Sequence, residues 1–466
     1  MHSQLLLVLA LTVAALCTVA AYYAGLGLQV ATGYAAKLTC SLSLVARQDP
    51  EVIRREYLEH ELDPVASRLS LKPSDCCASA SAFGIFSARA VYRPGLGCTL
   101  LAGRAENEIG MQGGWKPERV ALDATLPWPR GEAPLQAPAI PAVQAAVDAA
   151  FTEPESAQDE RIRQTKAVLV VHRGQLIAER YAAGFGADVP MLSWSMAKSV
   201  LAAVVGLAVS DERLSLQGPA PVPEWSDAGD PRRAITLDQL LRMSSGLDFD
   251  ETYGSINDVS IMLFTQPDTG AYAAAAPLAF APDSVWSYSS GTSNIIARML
   301  RDSFGGDYLA VARFAEERLF SLAGIRSAFF EADASGSPVG SSFVFMKARD
   351  WARFGELHRN DGVVDGRRVL PEGWVRYVTT PTARAPKGQY GAHWWLNAGE
   401  PSAQSERPWP SLPADAYAAR GHSGQWVLVI PSKELVIVRL GWSFPDDGDD
   451  GTVPLAEAVI AAVADR

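Results

Sequence analysis

Ser195-Met196-Ala197-Lys198 places a hydroxyl one helical turn before an amine. Residues three apart on a helix share a face, so the two side chains can meet. Serine alone is a poor nucleophile, but a neutral lysine beside it can take its proton and drive attack on a carbonyl. A free lysine, with a pKa near ~10.4, is protonated at neutral pH, so Lys198 must be desolvated or face another cation to act as a base. The apolar run Val200-Leu201-Ala202-Ala203-Val204-Val205-Gly206-Leu207 supplies that desolvation. It predicts a buried helix whose free N–H groups and positive dipole end face Ser195. Taken alone the motif is common by chance. A helix cap at Ser195, with Lys198 snorkelling from an apolar face, fits it equally well.

Two later stretches supply partners. Trp286-Ser287-Tyr288-Ser289-Ser290-Gly291 precedes a helical run over 294–300, which puts Tyr288 at a loop-to-helix junction. There its phenol can relay protons between Ser195, Lys198 and a leaving group; a half-buried tyrosine beside a helix cap is the plainer alternative. Gly421-His422-Ser423-Gly424-Gln425 leads into a strand over 426–430. Its glycines let a substrate lie close to the backbone, and a backbone N–H there, with that of Ser195, would form an oxyanion hole. A tight turn into the strand is the alternative. The order Ser-x-x-Lys, Tyr-x-Ser, His-Ser-Gly is far less accidental than any one part.

The elements that must position these residues follow from pattern. Residues 167–171 and 176–181 flank His172-Arg173-Gly174-Gln175 as a hairpin. Strands over 426–430 and 435–440 flank Pro431-Ser432-Lys433-Glu434, and a helix over 453–464 follows. Strands at both ends with helices between predict an α/β fold of the α+β type: one antiparallel sheet, completed by both ends of the block, flanked by helices and a mostly helical insertion. Four parts are expected: an apolar leader over 1–36, a small cysteine-containing domain over 37–114, a proline-rich linker over 115–140, and a catalytic block over 141–466. The cysteine block reads as a helix over 50–62, then strands over 82–92 and 98–102.

Residues 193–201, Thr236-Leu237-Asp238-Gln239-Leu240-Leu241, 286–294, Tyr390-Gly391-Ala392-His393-Trp394-Trp395 and 421–426 together resemble the superfamily of class C β-lactamases, penicillin-binding proteins and related esterases. The style is closest to the 6-aminohexanoate-dimer hydrolase branch. The resemblance spans 140–466 and implies a β-lactamase/transpeptidase-like fold, with Ser195 as the acylated nucleophile, Lys198 as its base and Tyr288 as the proton relay. It implies an oxyanion hole from the N–H groups of Ser195 and Gln425. Ser290 stands where many relatives have asparagine, and His422-Ser423-Gly424 stands where lactamases have Lys-Thr-Gly. Ser290, His422 and Gly424 thereby become substrate-binding candidates. Tyr253, in Phe249-Asp250-Glu251-Thr252-Tyr253, is similar to a tyrosine that contacts the amide substrate in the aminohexanoate branch. Replacing the lysine by His422 removes a permanent grip on a substrate carboxylate. That moves the expected activity from lactams toward simple esters or linear amides.

The chain around these motifs has 466 residues, 48% hydrophobic and 20% charged, with a formal charge of −11. That composition is foldable, and the charge argues against nucleic acid as a partner. No charged residue occurs over 3–36, and 5–28 is nearly all apolar, long enough to cross a bilayer. It reads as an uncleaved signal anchor or a signal peptide cut after Val19-Ala20-Ala21; its length and the missing basic n-region favour the anchor. Beyond Cys17, the cysteines are Cys40, Cys76, Cys77 and Cys98. An even set confined to one region suggests disulfides and an oxidising compartment, with Cys40 joined to Cys98 and Cys76 either joined to Cys77 or free. Unpaired buried thiols are the alternative. The expected location is therefore membrane-anchored with the catalytic block on the periplasmic side, or secreted if the leader is cleaved.

No Gly-x-Ser-x-Gly elbow is present, and no metal-ligand spacing occurs, so neither a metal nor another cofactor is expected. His172 and His358 read as surface residues and His393 as a wall of the cleft. Two other functions stay in view. One is a D-alanyl-D-alanine carboxypeptidase or β-lactamase-type activity; the other is a non-catalytic, membrane-anchored binding protein that keeps the fold.

Overall fold

The computed structural model describes residues 2–135, 140–154, 162–252, 256–399, 406–445 and 450–464. Helix α1, His2–Leu44, is uninterrupted. Its side chains are exposed from Leu9 to Ala24, mostly half-buried over 25–30, and buried over 31–42. The helix therefore does not stop at residue 36, where the uncharged run ends. Lys37 carries a charge, but its amine pairs with buried Glu331 and donates to the Cys98 carbonyl at 2.7 Å. The charge is neutralised inside protein, so the helix continues.

Strands β1 (Leu69–Pro73), β2 (Cys77–Ala82), β3 (Phe86–Arg93) and β4 (Gly97–Leu100) form an antiparallel sheet in sequence order. The sheet packs on the buried half of α1, and Cys40 and Cys98 form a disulfide across that contact. Cys76 and Cys77 are not joined; their sulfurs lie 3.2 Å apart. Helical turns run over Pro50–Ile53, Arg54–Leu58 and Glu59–Leu62, with Asp49 capping the first. This N-terminal region shares one hydrophobic core with the catalytic block: Leu38, Leu42 and Ala90 belong to the same buried cluster as Trp194 and Val200. The proline-rich segment is also packed down. Trp128 is buried and donates to the Arg349 carbonyl at 3.2 Å.

The catalytic block is built on a six-stranded antiparallel sheet. Helix α2 (Pro141–Ala149) precedes β5 (Thr165–His172) and β6 (Gln175–Tyr181). Arg173 and Gly174, both at positive φ, make the tight turn between them, as a two-residue hairpin requires. Helices α3 (Met196–Ser210), α4 (Asp258–Thr265), α5 (Ser290–Asp302) and α6 (Ala348–Arg359) lie in the middle of the sequence. Strands β7 (Trp395–Leu396), β8 (Tyr417–Gly421), β9 (Gln425–Ile430) and β10 (Leu435–Gly441) follow, then α7 (Thr452–Val463). The order β7-β8-β9-β10-β5-β6 seats the first strands of the block beside the last, with Val170 opposite Ile437. Alternation divides the faces: Val427, Val436 and Val438 join the core with α3 and α6, while Leu428 and Ile437 pack under α2 and α7.

Two histidines differ from the sequence reading. His358 is buried on α6, its ring 4.5 Å from those of Phe354 and Trp394. The helix looks polar in sequence because its buried face carries Arg349, Asp350 and Arg353, which are paired inside the protein. Burial lowers the His358 pKa to about 4. His172 ends β5, half-buried, rather than standing in the turn.

Candidate active site

Ser195 occupies the N-cap of α3, and every residue from Met196 to Ala208 behind it is buried. Lys198 lies one turn in, 1% exposed. Its amine is 3.0 Å from Ser195 Oγ, 3.0 Å from Ser290 Oγ and 3.2 Å from the Ser341 carbonyl oxygen. Tyr288, just before α5, presents its ring 4.8 Å from the same nitrogen. Ser289 caps α5 by accepting from the Thr292 N–H, which makes Ser290 the first helical residue and aims it at Lys198.

Electrostatics match this geometry. Burial pushes the Lys198 pKa down to about 8, while the Glu251 carboxylate nearby pulls it back up. Glu251 accepts from the Ser290 N–H at 2.7 Å and from Ser290 Oγ at 2.5 Å. Ser290 thus gives its proton to Glu251 and keeps its lone pairs for Lys198. A neutral amine has two N–H donors and one lone pair. With the Ser341 carbonyl and Ser290 Oγ taking the donors, the lone pair is left for the Ser195 hydroxyl. Neither Glu251 nor the Ser341 carbonyl was singled out in the sequence; the signal for Glu251 was its place two residues from Tyr253. Tyr253 itself lies outside the described residues.

Trp194, immediately before Ser195, is 2% exposed and held at φ +44°, a conformation costly for a bulky residue. An aromatic cage holds it there. Its ring stacks on Tyr34 at 6.3 Å and approaches Phe343 and Trp442, both at 5.9 Å. His422 meets its face edge-on at 5.5 Å.

The 422–424 stretch forms the hairpin turn between β8 and β9, with Ser423 and Gly424 at positive φ. Gly421 at its start packs so closely that a Cβ would collide with the Ser193 carbonyl oxygen, which brings the turn beside the nucleophile loop. Gln425 begins β9, and its side chain is consumed locally by the carbonyls of Ser423 and Gly441. His422 Nε2 is paired with Glu61 Oε1 at 2.7 Å, a partner from the N-terminal region that the sequence did not foreshadow. His393 is buried between Lys198 O, 3.0 Å from Nδ1, and Ser293 Oγ, 3.2 Å from Nε2. Burial and the neighbouring lysine lower its pKa to about 3, so it locks α3 to α5 as a neutral wall residue. Among the described residues, no cluster of three or more His, Cys, Asp or Glu could hold a metal ion.

The Beta-lactamase family matches residues 152–462. A 6-aminohexanoate-dimer hydrolase of Paenarthrobacter ureafaciens is 28% identical over 315 residues, covering 62% of this chain and 76% of its own length. A penicillin-binding protein homologue from Caulobacter crescentus superposes with a TM-score of 0.52 at 18% identity, covering 69% of this chain and 98% of that one. A family VIII carboxylesterase gives a TM-score of 0.54 at 17% identity, with 70% and 98% covered.

Proposed function

The chain belongs to the Beta-lactamase family, whose match spans 152–462, and on that premise we propose that it hydrolyses esters or linear amides through a Ser-Lys-Tyr acyl-enzyme. The observation that carries this reading is the buried Lys198 amine, 3.0 Å from Ser195 Oγ and with no salt bridge among the described residues. Ser195 Oγ attacks the substrate carbonyl carbon and its proton passes to Lys198 Nζ. The backbone N–H groups of Ser195 and Gln425 hold the tetrahedral oxygen. Tyr288 relays the proton from Lys198 to the leaving alcohol or amine. Water then attacks the acyl carbon, and Ser195 is released with its proton restored.

Ser290, His422 and Gly424 border the substrate. The Glu61 carboxylate, 2.7 Å from His422 Nε2, balances whatever charge that imidazole carries. A substrate carboxylate would meet Glu61 there, so neutral esters and amides fit better than carboxylate-bearing lactams or peptidoglycan stems. The paired Cys40 and Cys98 favour an oxidising, extracytoplasmic location for the body, with α1 as its membrane anchor.

A serine-directed fluorophosphonate, followed by intact mass, tests the reading. We expect one adduct on the wild-type chain, and none on Ser195→Ala together with loss of nitrophenyl-ester hydrolysis. Wild-type turnover by Ser195→Ala would refute the assignment.

A further inference from the structure

A cavity of about 480 Å³ lies between α1 and the catalytic block, within the size range of ordinary small-molecule sites. Its outer wall is apolar, formed by Ala24, Leu28 and Ala31 of α1 with Val259 and Leu263 of α4. Trp194 and His422, beside Ser195 and the 422–424 turn, also line it, together with Glu61 and Asp63. Two wall residues carry buried polar groups, Tyr34 Oη and Trp194 Nε1, without a hydrogen-bond partner among the described residues. A buried donor left unpaired is costly.

Its position relative to α1 decides what fills it. Residues 2–24 of α1 run about 34 Å at 1.5 Å per residue, against a hydrocarbon core ~30 Å thick. Exposure ends at Ala24, where the cavity begins, and exposed Tyr22 and Tyr23 sit at the level where aromatic side chains mark a membrane interface. The mouth thus lies where the exposed apolar helix meets the body.

We infer that this cavity takes the acyl chain of a membrane-borne ester or amide, with its chain between α1 and α4 and its carbonyl toward Trp194 and Ser195. The inference rests on the serine hydrolase reading above and adds the substrate class. The full chain reconstituted in phosphatidylcholine vesicles tests it, with nitrophenyl acetate and nitrophenyl decanoate as substrates. We expect kcat/KM for the decanoate to exceed that for the acetate by ~10-fold or more, since each buried methylene adds binding energy. Leu28→Trp and Ala31→Trp, which fill the cavity, should each cut that ratio by ~10-fold. A general folding defect lowers both esters alike, so the ratio reports on the cavity alone, and a ratio left unchanged by both substitutions would overturn the inference. Binding of a dansyl-labelled long-chain fatty acid to Ser195→Ala supplies a readout independent of turnover. Retained acetate hydrolysis with neither chain preference nor binding would refute the cavity's role alone. Loss of both esters and of fluorophosphonate labelling, with fatty-acid binding intact and abolished by Leu28→Trp, would refute the hydrolase reading while sustaining the acyl-chain site.

Discussion

Two of the buried lysines, one where α1 enters the body and one in the cleft, are put to opposite uses. Lys37 is 2% exposed and Lys198 is 1% exposed. Lys37 sits against Glu331, a carboxylate that also accepts from Ser41 Oγ at 3.0 Å and from the Cys98 N–H at 2.5 Å, and its amine lies 4.3 Å from the centre of the Phe343 ring. Lys198 touches two hydroxyls and a carbonyl. A carboxylate in contact fixes an ammonium as a structural cation, whereas neutral oxygens in a dry site leave the amine free to exchange a proton. One segment serves both: the 331–343 stretch supplies Glu331 to the first lysine and the Ser341 carbonyl to the second.

The comparison breaks most visibly in activity. Lys198→Ala is expected to lower kcat/KM for a nitrophenyl ester by ~10³-fold or more, the scale of a lost general base. Its unfolding midpoint should stay near wild type; steady-state kinetics beside a denaturant titration checks both. Lys37→Met should do the reverse. Leaving Glu331 buried without its cation costs ~3–5 kcal/mol, read as a lower denaturation midpoint, and the double substitution Lys37→Met with Glu331→Met should recover most of it. Cys40→Ser together with Cys98→Ser, which opens the covalent tie behind Lys37, should cost ~2–4 kcal/mol in the same titration.

The smallest effect sharpens the cleft side. Only the neutral Lys198 amine can accept the serine proton, so activity should rise with pH and level off above about 8. Glu251 favours the charged amine; Glu251→Gln removes that attraction, lowers the lysine pKa further and should move the acid limb to lower pH. A limb that stays in place in a kcat/KM profile would assign Glu251 to holding Ser290 alone.

Much of the cleft was legible because it is written in local spacing. Ser195 and Lys198 are three residues apart on one helix face, and Tyr288 and Ser290 flank the cap of α5. What escaped was written across distance. His422 meets Glu61 across 361 residues, and the Ser341 carbonyl reaches Lys198 across 143. A backbone carbonyl carries no residue-type signal at all. The N-terminal region misled for a related reason. Lys37 looks like the end of an apolar helix until its carboxylate is found, and the charges of α6 look solvated until their partners are.

The Lys37–Glu331 contact also fixes an order of assembly. The partners are 294 residues apart in sequence, and at ~5–20 residues per second Lys37 leaves the ribosome roughly 15–60 s before Glu331 is made. The helix that carries Lys37 is thus made while its counter-charge does not yet exist. Closing that contact brings Phe343 under Lys37 and sets the segment whose Ser341 carbonyl meets Lys198. The cleft therefore cannot take its final form until the segment that carries Glu331 and Ser341 has been made.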